Sequence, residues 1–298
     1  MRSSRILLSA TVLASAVIGA GCVAPLLESL EEPLIFRPKA LDVRDARALV
    51  HPNQIEEVRL AVSDEVTLHG WLKRPERWAP GKPHPLVIVY GGVGQEVSEF
   101  VPRAHAGEWG WLMINYRGFG RSQGSPSERT VLSDAKLVYD WARARPDIDG
   151  ANIVVLGRSL GSYVAITGAA ARKVRAAILA TPFDSAAALG EEHFHWLPFP
   201  FARVMQSRYN PGLMAPMVSV PALFLLAEKD DVTPVKNGMA LSQRWGGAVK
   251  TVLLPGLGHN GIERYEQFWG SIGDFLTTLD GASPLAMSPS APAPSTSR

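Results

Sequence analysis

Cysteine is almost missing from this chain: Cys22 is the only one in 298 residues. That excludes an intramolecular disulfide and any zinc site built on cysteines. Excess charge is scarce too. Lys and Arg number 30 against 28 Asp and Glu, a net charge of +2, which gives no case for a nucleic-acid partner. There is no internal repeat, no heptad run and no Cys/His cluster at metal-ligand spacing. What remains is a soluble-type composition, at a length that suits one large domain or two small ones with a substantial core.

Both ends read as lying outside the fold. Arg2 and Arg5 flank a short polar start, and "ILLSATVLASAVIGAG" then runs apolar up to Cys22. A basic start before such a stretch reads as an export signal over residues 1–21. A lone cysteine where that stretch ends resembles the lipid-acceptor cysteine of bacterial lipoproteins. The resemblance implies lipid attachment at Cys22 and an exported, membrane-anchored protein of a bacterial cell envelope. "GAGC" departs from the usual pattern at Gly19, where Leu, Val or Ile is more common. Ordinary signal cleavage after "CVA" is disfavoured because Pro25 would follow the cut. The alternatives are simple secretion or an uncleaved anchor, since residues 6–24 are nearly long enough to span a bilayer. Residues 22–54 read as a tether and packing segment, and the Ser/Ala/Pro-rich stretch 281–298 as a disordered tail. One domain, 55–280, is left.

Within it, "EEVRLAV" and "VTLHGWLKR" alternate around the polar break "SDE", which predicts an antiparallel hairpin. Six apolar runs follow: "PLVIVYGG", "WLMINYRG", "ANIVVLGRS", "RAAILATPF", "PALFLLAEKD" and "KTVLLPGLGH". Continuous Val/Ile/Leu runs suit strands buried on both faces of a parallel sheet. "SERTVLSDAKLVYDWARAR", capped by Ser127, reads as a helix, as do "SYVAITGAAARK", "VKNGMALSQRW" and "IERYEQFWGSIGDFLTTL". His105 falls in another predicted helix. The prediction is an α/β fold: a mostly parallel sheet with an N-terminal antiparallel hairpin and helices on both faces. In such sheets chemistry gathers beyond the carboxyl ends of the strands.

Two pentapeptides share the pattern Gly-x-Ser-x-Gly, "GRSQG" at 120–124 and "GRSLG" at 157–161. The pattern carries a nucleophile when strand, sharp turn and helix follow directly, because small residues let a strained serine project from the turn. Ser159 has that setting. Ser122 leads instead into the polar loop "SPSERT". A serine needs a base, and among the seven histidines only His259, in "LLPGLGHNG", follows a late strand. Gly258 and Gly261 predict a mobile, uncrowded loop around it. The base needs an orienting carboxylate. "AEKDDVTP" supplies Glu228, Asp230 and Asp231, of which Asp230 fits the spacing first and Asp231 second; Asp184 is an outside candidate one strand earlier.

These motifs together resemble the serine α/β-hydrolases, in particular the compact, small-lidded branch with monoglyceride-lipase-like and serine-aminopeptidase-like members. "NYRGFGRSQGSPSE" is similar to that branch's YRGxGxSxG loop, "GRSLG" to its elbow, "KDDVTP" to its acid loop and "GHN" to its histidine loop. The likeness spans nearly all of 56–279. It implies an α/β-hydrolase fold and a triad of Ser159, Asp230 and His259 that needs no cofactor or metal. It also makes "GRSQG" a structural turn. One departure stands out: where the family has His-Gly after the first central strand, this chain reads "YGGVGQE", with Gly91 in the histidine position. The mapping puts the oxyanion donors on the N–H groups of Val93 and Leu160, with Gly92 as the alternative if the loop is shifted by one.

The expected reaction is acyl transfer to water from a small acyl substrate. Lipid or acyl esters are favoured, and thioesters and aminoacyl or peptide amides are open to the same residues. A catalytically inactive binding module of the same fold is the other class. The insert 184–220, with its aromatic "HFHWLPFPFARVM", reads as a small cap. His193 and His195 within it lack the third ligand a metal needs.

Overall fold

The computed structural model describes residues 35–41, 54–105, 107–193 and 208–281. The predicted signal, Cys22, His195 and the tail beyond Gly281 lie outside the described residues. Among the described residues there are eight strands: β1 Ile55–Ala61, β2 Thr67–Lys73, β3 His84–Tyr90, β4 Gly110–Ile114, β5 Ile148–Arg158, β6 Ala176–Ala180, β7 Ala222–Ala227 and β8 Val249–Leu254. They form one sheet in the order β1-β2-β4-β3-β5-β6-β7-β8. β1 and β2 make the predicted antiparallel hairpin, and β2 pairs antiparallel with β4. All pairings from β4 to β8 are parallel.

The α-helices among the described residues are α1 Glu128–Arg143, α2 Leu160–Ala171, α3 Ala186–His193, α4 Pro211–Met214, α5 Val235–Gln243 and α6 Glu266–Gly281. Alternate side chains of each central strand feed opposite layers. Leu86, Ile88 and Tyr90 of β3 join a core with Val131 and Val138 of α1, Val164 of α2 and Leu241 of α5. Val87 and Val89 join a second core with Phe268, Ile272 and Phe275 of α6. Helices therefore cover both faces, and the continuous apolar runs are explained by burial on both sides.

Local signals set most helix boundaries. Ser127 caps α1, accepting from Thr130 N–H at 3.2 Å while Ser127 N–H donates to Thr130 Oγ1 at 2.8 Å. This is a capping box with threonine in the position that Glu or Gln usually fills. The last helix starts later than its pattern predicts. Ile262–Arg264 form a 3-10 turn, and Tyr265 is extended (φ −103°, ψ 138°) before α6 begins. The Trp269 indole donates to Glu263 O at 2.7 Å and holds that turn against the helix. His105 is not helical: only a 3-10 turn, Val97–Phe100, forms in that region.

The chain leaves β3 for β4 on one side and returns to β5 on the other, so the turns after β3 and β5 emerge side by side at a topological switch point. Residues 35–41 strap this edge. Phe36 is fully buried, packed edge-on against Tyr116 and Tyr209 at 6.4 Å each. Its carbonyl accepts from Gly94 N–H at 2.8 Å, and Gly120 N–H donates to Lys39 O at 2.8 Å. Phe36→Ala should cost about 3–5 kcal/mol, read as a lowered urea midpoint. An unchanged midpoint would mean that the strap is not part of the cooperative unit.

Candidate active site

Ser159 sits between β5 and α2 with φ 52° and ψ −117°, a left-handed backbone that costs a non-glycine residue about 1–3 kcal/mol. The surroundings over-determine it. Ser159 N–H donates to Ala180 O at the end of β6 at 2.9 Å. The Ser159 carbonyl accepts from Ser162 N–H at 2.9 Å and from the Ser162 hydroxyl at 2.6 Å. Both flanking glycines are required by close approach. A Cβ on Gly157 would lie 2.6 Å from Ser162 Cα, and one on Gly161 would lie 2.7 Å from Gly91 O.

The structure brings three of the predicted residues into one chain of hydrogen bonds. His259 Nε2 is 3.0 Å from Ser159 Oγ, and His259 Nδ1 is 2.9 Å from each oxygen of Asp230. With the Nδ1 proton donated to the carboxylate, Nε2 is left as the acceptor for the serine hydroxyl. All three residues are buried. Burial opposes ionisation of Asp230. The hydrogen bond and charge of His259, with the N–H groups of Thr233 (2.7 Å) and Val232 (3.0 Å), outweigh it and hold the carboxyl below its ordinary pKa. Asp231 is exposed, and Asp184 caps Ser185 N–H at 2.9 Å, so neither carboxylate orients the histidine.

The histidine loop is not the loose segment its glycines suggested. Gly256 N–H donates to Glu228 Oε2 at 2.7 Å, and Lys229 N–H donates to Leu257 O at 2.8 Å. The acid loop thus braces the histidine loop, and Glu228 serves in that brace.

Two contributors escaped the sequence reading. The Thr233 hydroxyl lies 3.0 Å from Asp230 Oδ2, 3.0 Å from Thr181 O and 3.1 Å from His259 Nδ1, at the junction of the acid and histidine loops. Arg158, the variable position of the elbow, is buried and donates from Nη2 to His259 O at 2.6 Å. Its Nε is 3.6 Å from buried Glu263. The only local hint was a charged residue inside "VVLGRSLG", where an apolar strand end was expected.

Ser122 is committed elsewhere. Its Oγ accepts from His69 N–H at 2.8 Å and donates to Asn115 O at 3.0 Å. Arg117 of "NYRGF" makes a bidentate pair with Asp134 on α1 at 2.8 and 2.9 Å. The pentapeptide is thus part of a braced turn.

Among the described residues, the N–H groups of Val93 and Leu160 have no acceptor. Gly92 N–H, the alternative donor, is taken by Gln95 Oε1 at 3.0 Å. A Cβ on Gly92 would lie 3.4 Å from Ser159 Cβ, so this loop borders the serine directly. Val93 is 41% exposed and Val232 40%, which puts apolar surface on the loop after β3 and on the acid loop. Among the described residues no group of three or more His, Cys, Asp or Glu is placed to hold a metal ion, and no helix is long and apolar enough to cross a membrane.

No family model matches the chain. An uncharacterized protein of Mycobacterium tuberculosis is 29% identical over 255 residues, spanning 85% of this chain and 88% of its own length. Human alpha/beta hydrolase domain-containing protein 17C is 25% identical over 206 residues, 67% of this chain and 60% of that protein. Among solved structures, Est1E of Butyrivibrio proteoclasticus with ferulic acid bound has a TM-score of 0.62 at 19% identity, covering 76% of this chain and 100% of its own. A Pyrococcus furiosus esterase has a TM-score of 0.62 at 18% identity, covering 82% and 97%. The chain has the α/β-hydrolase fold.

The Asp230 environment makes a signed prediction. Its carboxyl is depressed in the folded state, so the stability it contributes is complete above the unfolded value of about 3.9 and fades as pH falls through the folded value. The stability gap between wild type and Asp230→Asn should be widest near neutrality and narrow below about pH 4. Urea midpoints across that range measure it, and a gap that widens on acidification would contradict the assignment.

Proposed function

We propose that the protein is a serine hydrolase that cleaves carboxylic esters through an acyl-enzyme on Ser159. The observation that carries this reading is the continuous hydrogen-bonded line from Ser159 Oγ through the two nitrogens of His259 to Asp230.

In the proposed mechanism Ser159 Oγ attacks the ester carbonyl while His259 Nε2 takes its proton. Asp230 holds the imidazole tautomer and stabilises the imidazolium. The N–H groups of Val93 and Leu160 receive the developing oxyanion, the latter from the amino end of α2, where the helix dipole favours negative charge. The imidazolium then protonates the leaving alkoxide, and a water activated by the same nitrogen releases the acid. No step calls for a cofactor.

The esterase neighbours support ester chemistry in general. The exposed valines at 93 and 232 favour apolar acyl groups, and the YRGxGxSxG loop favours the compact, monoglyceride-lipase-like branch. The same reading includes a lipid tether at Cys22, which would hold the domain at a bacterial envelope membrane near such substrates.

Wild-type protein should react with a fluorophosphonate probe and hydrolyse p-nitrophenyl acyl esters. Ser159→Ala should lose labelling and turnover, and Ser122→Ala should keep labelling. Absence of labelling in folded wild type would sink the hydrolase reading, and the reverse pattern in the variants would sink the choice of serine. For the tether, incorporation of a fatty-acid analogue in a bacterial host should vanish in Cys22→Ala. Equal incorporation in both would refute it.

A further inference from the structure

The glycine-rich stretch after β3 has glycine at 91, yet three successive peptides in it are pinned. At Gly91 a Cβ would meet Gln95 O at 3.2 Å and Val97 Cγ1 at 3.5 Å, so the returning chain occupies the space where a side chain would begin. The peptide joining Gly91 to Gly92 is held at both ends. Its carbonyl accepts from the Tyr116 hydroxyl at 3.0 Å, and its N–H donates to Gln95 Oε1 at 3.0 Å. In the next peptide, Gly92 O accepts from Gln95 N–H at 3.3 Å. A trans peptide puts N–H opposite C=O, so Val93 N–H is turned away from the loop's own turn. The third peptide is fixed by Gly94 N–H donating to Phe36 O.

Three successive N–H groups therefore have different fates. Gly92 and Gly94 are occupied, and Val93 between them has no acceptor among the described residues. Gln95 touches two of the three peptides, one through its side chain and one through its backbone. The side chain is buried. Its amide orientation follows from the partner, because an N–H donor demands the oxygen. Without that acceptor, Gly92 N–H would be a buried donor with no partner, and a run of glycines has the freedom to rotate to find one. Rotation about Gly92 would carry Val93 N–H out of line.

We propose that Gln95 is the positioning residue of the oxyanion hole. Its side-chain carbonyl holds Gly92 N–H so that Val93 N–H meets the oxyanion of the Ser159 adduct. The proposal rests on the serine-hydrolase reading above.

Gln95→Met keeps length and removes the acceptor. The expected result is a kcat lower by about tenfold to a hundredfold, short of the full loss of a donor, with KM within about twofold. The Ki of a trifluoromethyl ketone, which forms an oxyanion on the serine, should rise by the same factor as kcat/KM falls. Tyr116→Phe, which releases only the far end of the same peptide, should show the same signature more weakly and serves if the first variant does not fold. Unchanged kcat in the folded variants would overturn the proposal. So would a fall in kcat with unchanged Ki, which would mark a merely structural role. Wild type that neither labels nor turns over substrate would instead overturn the hydrolase reading beneath it.

Discussion

The carboxyl edge of the sheet is organised by one close approach, that of the first turn of α2 to the end of β3. Gly161 faces the carbonyls of Tyr90 and Gly91 with no room for a Cβ, and Gly157 faces Gly161 and Ser162 in the same way. This contact forces Ser159 into a left-handed backbone and aims its side chain out of the turn. It also sets the loop after β3 beside the serine, because β3 and β5 are neighbours on either side of the switch in strand order. This backbone-to-backbone fit positions the serine and brings the loop after β3 beside it, and the side chains of Gln95 and Tyr116 then hold that loop's peptides.

The remaining parts come from strands farther along the sheet, and polar contacts hold them. The acid loop after β7 and the histidine loop after β8 are joined by Glu228 to Gly256 N–H and by Lys229 N–H to Leu257 O. Thr233 then connects the acid loop to Thr181 at the end of β6, and Arg158 connects the elbow to the carbonyl of His259. Each of these bonds is modest alone, about 0.5–3 kcal/mol depending on charge. Breaking the Thr233 or the Arg158 bond would leave a buried group unpaired, which costs more than the bond itself contributes. The burial of His259 follows from this bracing, and its flanking glycines serve turns within a held loop.

Much of this was legible beforehand. The hairpin, the six parallel strands and the main helices follow from short-range patterns, since side-chain periodicity and burial on two faces leave a direct record in the residues. The elbow was legible for the same reason: strand, small residues and helix are contiguous from Asn152 to Ala171. Tyr265 shows where such reading stops. An extended residue interrupts an apolar pattern that stays helical on paper, because the Trp269 indole bonds the turn before it. Gln95 is a sharper case. A polar residue in a glycine-rich loop has many rotamers, and only the packed loop selects the one that returns to Gly92.

By itself the sequence determined the order of the elements, the two glycines that the elbow needs, and the succession Ser159, Asp230, His259 at three strand ends. Those are properties of local pattern and chain order. Tertiary structure alone decided which of several carboxylates orients the histidine, which of two adjacent N–H groups stays free, and that Arg158 and Thr233 belong to the site. The reason is separation along the chain. Ser159 meets His259 across 100 residues and Arg158 reaches its carbonyl across 101, and no local pattern records a contact made at that range.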